Sequence, residues 1–69
     1  MVEYKDYQLR VIDEKNILKD KINKLKMFIN FNSETYKKLD KYDKILLDEQ
    51  LYFMKQYCNV LEERINRFS

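Results

Sequence analysis

Six side chains have types suited to holding a flat, charged ligand: Tyr4, Tyr7, Arg10, Lys15, Tyr57 and Arg64. A tyrosine ring can stack on a base, while a guanidinium or ammonium group neutralises a phosphate or sits over a ring. Binding is therefore the chemistry on offer, and the equipment for catalysis is missing. The chain has no histidine, the side chain most often used in general acid–base work. Neither a Ser–His nor a Cys–His nucleophile can be assembled. With no glycine, a glycine-rich phosphate loop cannot form. Asp13–Glu14, Asp48–Glu49 and Glu62–Glu63 are adjacent carboxylates, and neighbours on a helix point about 100° apart. A metal pair on one helix needs carboxylates at i,i+3 or i,i+4 facing inward. No catalytic residue, metal ligand or cofactor is expected, and the chain does not read as an enzyme.

Those six residues must be positioned by helices, because nothing else suits the composition. The chain has neither glycine nor proline, so tight β-hairpin turns lose their preferred residues. From residue 4 to 29, Tyr4, Tyr7, Val11, Leu18, Ile22, Leu25 and Ile29 fall on one helical stripe, interrupted only by Lys15. Residues 30–42 break the period. Asn30 or Asn32 is suited to end the first helix in a left-handed conformation, and Ser33 to cap a short helical turn through Lys38. Asp40 is the expected N-cap of the second helix, with Asp43 near its positive end. Over 43–67 and just beyond, Leu47, Leu51, Met54, Cys58, Leu61, Ile65 and Phe68 form the second stripe. Three i,i+4 acid–base pairs, Asp6–Arg10, Asp20–Lys24 and Glu63–Arg67, lie in the favourable order.

The expectation is one all-α domain over residues 1–69: an antiparallel two-helix hairpin with a short helical turn in its linker. Setting Ile29 against Leu47 brings Lys15 near Cys58 to Glu62, where it is expected to reach toward Glu62. Cys58 and Met54 read as core filler. Fourteen basic and twelve acidic residues give a net charge of +2, and the lysines are interspersed with acids. That pattern argues against a nucleic-acid duplex as partner. No apolar run approaches the ~20 residues of a membrane span, and nothing reads as a secretory signal. The free thiol fits a reducing compartment.

A chain of 69 residues is marginal as an isolated fold. Its one cysteine makes no internal disulfide, so self-association is the stabilising device that remains. A second apolar row supports this. Leu46, Phe53 and Val60 repeat at heptad spacing beside the stripe of the second helix. In an antiparallel pair they share a flank with Gln50, Tyr57 and Arg64, and with Arg10, Glu14, Ile17, Lys21 and Phe28 of the first helix. Exposed apolar patches of that size mark interaction sites. Glu14, Ile17, Phe28, Leu46, Gln50, Phe53 and Val60 are the expected oligomer interface, with Glu14 paired to Arg64 within or between chains. The chain is thus expected to self-associate into a helical bundle, and this flank is where a small anionic ligand would be enclosed.

The run Tyr7-Gln8-Leu9-Arg10-Val11-Ile12-Asp13-Glu14-Lys15, followed by Leu18, Lys21, Ile22, Leu25, Phe28 and Ile29, resembles a family of very small proteins of tailed bacteriophages, including crAss-like phages. So do Leu46-Leu47, Gln50-Leu51, Met54, Tyr57, Val60-Leu61 and Arg64-Ile65. The resemblance covers most of the chain. It implies a phage or prophage origin, a place in the infected bacterial cytoplasm, and action against host antiviral defence. Such action would occupy an effector protein or sequester its nucleotide signal. An architectural coiled-coil-like oligomer, or a protein-binding adaptor without a small-molecule ligand, is the alternative.

Overall fold

A computed structural model describes residues 3–31 and 34–68. Three helices follow one another: α1 Asp6–Asn30, α2 Glu34–Lys37 and α3 Lys41–Asn66. The two long ones pack against each other. The molecule is a rod of 49 × 16 × 15 Å, a little longer than the ~38 Å of a 25-residue helix. Its radius of gyration is 15.5 Å, against about 11 Å for a compact chain of this length. A rod has much surface for its volume, so little of it can be core.

The helix ends follow local chemistry. Lys5 is extended and precedes Asp6, an acid in the first turn of α1, where it complements the helix dipole. Gln8 reaches back, its Oε1 accepting from the Lys5 backbone N–H at 2.8 Å. That is one half of a capping box; a lysine side chain cannot accept the other half. At the far end Phe31 N–H donates to the Met27 carbonyl at 3.0 Å. Phe31 has φ −88° and ψ 7°, so the expected left-handed ending does not occur at Asn30, which is still helical. Asn32 and Ser33, the other residues expected to shape this end, lie outside the described residues. Asp40 does cap α3: its Oδ1 accepts from Asp43 N–H at 2.9 Å. The last turn of α3 tightens through i→i+3 bonds, Arg67 N–H to the Arg64 carbonyl and Phe68 N–H to that of Ile65.

The seam between α1 and α3 uses the two expected stripes except at the start of α1, where Tyr4 and Tyr7 are exposed and Gln8 is buried. Val11 and Ile22 of α1, and Cys58 and Leu61 of α3, are buried, Leu61 completely. Leu18, Leu25, Ile29, Leu47, Leu51, Met54, Ile65 and Phe68 are half-buried around them. Lys15, the charge on the stripe, is half-buried too, which fits an alkyl stem lying along apolar surface. Its expected partner is otherwise engaged: Glu62 Oε1 accepts a weak bond from Cys58 Sγ at 3.9 Å. No Lys15–Glu62 ion pair forms. Among the described residues, Asp20–Lys24 is an i,i+4 ion pair at 3.0 Å, while Asp6–Arg10 and Glu63–Arg67 are not within ion-pair distance.

Rings close both ends of the rod. Phe68 meets Tyr4 and Tyr7 edge-on, with centroids 6.3 and 6.1 Å apart, a favoured aromatic geometry. At the hinge, Tyr36 of α2 stands edge-on to Phe28 at 5.8 Å, and Lys44 Nζ lies 5.2 Å from the Tyr36 centroid.

Replacing Leu61 by Ala should cost about 2–5 kcal/mol. Replacing Asp40 by Ala should cost about 1 kcal/mol, the usual loss for an N-cap. Urea denaturation followed by circular dichroism separates the two. A smaller loss for Leu61→Ala than for Asp40→Ala would contradict this core.

Candidate functional site

The flank of the rod beside the seam carries most of the candidate residues. Helical spacing places Arg10, Glu14, Ile17 and Lys21 along α1 on this flank. Leu46, Gln50, Phe53, Tyr57, Val60 and Arg64 follow along α3. Ile17 is 58% exposed, Leu46 60%, Phe53 64% and Val60 53%. The apolar row is therefore bare on the single chain, as its position outside the seam requires. Phe28 departs from that expectation. It is half-buried, because α2 brings Tyr36 over it.

Glu14 and Tyr57 join the two helices across the flank. The Tyr57 hydroxyl donates to Glu14 Oε1. The expected partner of Glu14, Arg64, does not make an ion pair with it within the chain. Arg64 acts on Tyr57 instead, as a nearby positive charge. The Tyr57 hydroxyl is held above its ordinary pKa of 10.0, first by its bond to the Glu14 carboxylate, then by partial burial and by the Glu14 charge. The positive charge of Arg64 works in the opposite direction. The direction follows from chemistry: a neutral hydroxyl donates to a carboxylate, and a phenolate beside the same carboxylate would be repelled.

Arg10 lies one turn before Glu14, and Arg64 lies two turns after Tyr57, toward the same end of the rod. Both are exposed, and among the described residues neither has a carboxylate within ion-pair distance. The aromatic group of Tyr4, Tyr7 and Phe68 closes that end. Tyr4, Tyr7, Arg10 and Arg64 therefore lie toward one end of the molecule, while Tyr57 lies one turn from the middle of α3, bonded to Glu14. Lys15 stands apart, since its place on the seam side separates it from the Glu14 flank by about 100°. Farther along α3, toward the hinge, Leu39, Asp43, Leu46, Leu47 and Gln50 line an open groove of about 270 Å³.

Some features escape a reading of the stripes. Gln8 is buried, 5% exposed, with Nε2 donating to the Tyr7 hydroxyl at 3.4 Å. The available signal was its position three residues after the extended Lys5, where a glutamine can cap. The groove needs Leu39, which precedes α3 and belongs to no periodic stripe. No three Cys, Asp or Glu side chains among the described residues converge as a metal site. No described helix is long and apolar enough to cross a membrane.

Two long packed helices with a bare apolar row outside their seam make this a small helical-hairpin protein. The family model of Sequestin matches residues 5–67, and the chain belongs to that family. The family name points to a small sequestering protein, a binding role rather than a catalytic one. No curated protein matches the chain, and no solved structure matches it.

The raised pKa of Tyr57 sets a pH dependence. A hydroxyl whose folded pKa lies above its unfolded value stabilises the fold fully below pH 10.0, and that contribution is lost as pH rises through the folded pKa. Tyrosinate absorbance should include a step from Tyr57 above pH 10.0. In Glu14→Gln that late step should move down. A titration unchanged by Glu14→Gln would contradict the cross-seam bond.

Proposed function

We propose that this protein is a non-enzymatic, self-associating accessory protein of a phage or prophage that counteracts host antiviral defence by binding. In the host bacterial cytoplasm it captures the anionic nucleotide signal of a defence system and keeps it from its effector. The observation that carries this reading is that Arg10 and Arg64, with no carboxylate within ion-pair distance among the described residues, share a flank with Tyr57 and lie toward the end closed by the Tyr4–Tyr7–Phe68 rings. Guanidiniums neutralise phosphate, and exposed rings give a base a face to stack on. A role in sequestration, to which the family name points, supports the same reading. The protein does its work stoichiometrically, one binding unit for each captured molecule.

A second reading has a different observation in its favour. The exposed row Leu46, Phe53 and Val60 is an apolar surface suited to covering a protein, and a defence effector occupied directly would be silenced as well. Phe53→Asp separates the two readings when host lysate is passed over immobilised protein. Loss of one retained host protein with Phe53→Asp favours the effector; equal recovery counts against it.

The signal reading is tested by thermal unfolding with a panel of cyclic dinucleotides and ADP-ribose derivatives. A ligand at 100 times its Kd should stabilise the protein by about 2.7 kcal/mol. That gain should be lost in Arg10→Ala/Arg64→Ala. No shift with any member of the panel would overturn this reading.

A further inference from the structure

We infer that the exposed flank is covered by a second copy of this chain, turned end for end, about a two-fold axis that crosses α3 at Phe53. This rests on the self-association in the proposed function and adds its geometry. Phe53 stands at the middle of α3, Lys41–Asn66. Leu46 lies seven residues before it and Val60 seven after. End-for-end reversal about Phe53 therefore sets Phe53 against its own copy, Leu46 against the partner's Val60, and Val60 against the partner's Leu46. The row maps onto itself, as an isologous interface requires.

Charge selects this axis over the other two-fold arrangement. With the axis running along the rod, Arg10 and Arg64 of both copies would gather at one end, four guanidiniums together. Turned end for end, Arg64 comes to the level of the partner's Asp43, within one residue's rise of about 1.5 Å. Asp43 lines the open groove with Leu39, Leu46, Leu47 and Gln50, so an arginine placed there meets a carboxylate among apolar walls. On α3 the flank from Leu46 to Arg64 is about 27 Å long, so the contact is centred on Phe53 and ends at the Arg64–Asp43 pairs.

The reversal has a consequence for the ligand. Each end of the dimer joins the Arg10–Tyr57–Arg64 group of one copy to the groove of the other. One chain carries the cations of the site at one end and its apolar groove toward the other end; two chains bring them together twice. Asp43 of the partner subunit then holds Arg64 until an anion replaces it.

Cysteine cross-linking reads the axis directly. In a Cys58→Ala background, Phe53→Cys should oxidise to a disulfide-linked dimer. Leu46→Cys and Val60→Cys should each stay unlinked alone and link when mixed. Self-linking of Leu46→Cys, or no linking in a protein that still sediments as a dimer, overturns this geometry while leaving self-association in place. A protein that sediments as a monomer overturns both. A charge exchange gives a second reading that needs no cysteine. Asp43→Arg and Arg64→Asp should each dimerise at least tenfold more weakly than the wild type, and their mixture should recover the loss. Failure of the mixture to recover, with both variants helical by circular dichroism, overturns the pairing.

Discussion

A pair of helices has one seam, and this chain carries more apolar surface than one seam can cover. Each helix can turn a single stripe inward. Val11, Ile22, Cys58 and Leu61 take the centre of that seam, and only Leu61 is fully enclosed. Burial contributes roughly 25 cal/mol for each Å² of apolar surface removed from water, and a rod of 16 × 15 Å cross-section removes little. The Leu46–Phe53–Val60 row cannot be brought into the same seam without turning the Cys58–Leu61 stripe out. The excess must remain at the surface.

The polar groups are arranged around the same constraint. Glu14 and Tyr57 are joined across the two helices at the boundary between the seam and the open flank, tying the rods together where the core ends. The rings of Tyr4, Tyr7 and Phe68 hold the terminal end, and Tyr36 with Phe28 holds the hinge. These contacts are peripheral to the core, yet they fix which faces of the helices are turned outward. Arg10 and Arg64 are left on that outward flank with no carboxylate within ion-pair distance among the described residues, so fold stability and the presentation of cations have the same origin.

Much of this was legible in the order of residues. Helical spacing identified the apolar side chains of the α3 seam from Leu47 to Phe68, and Asp40 announced the start of α3. The row outside the seam followed from the same arithmetic. Partners across the seam were harder, because a helical wheel gives a side chain's direction but not its reach. Glu14 met Tyr57 where Arg64 was expected, and Glu62 turned to Cys58 where Lys15 was expected. The hinge was less legible still. Its Tyr36 covers Phe28 through the placement of a four-residue helix, and no period in the sequence encodes that placement. Belonging to the Sequestin family points to binding and leaves the face that binds and the bound molecule to chemistry.

The most direct measurement is molar mass by light scattering through a dilution series, with helicity recorded on the same samples. A dimer or larger bundle should be found, and it should lose helix as dilution drives it to single chains. A monomer that keeps its full helicity at the greatest dilution would contradict it, for then one seam would be enough.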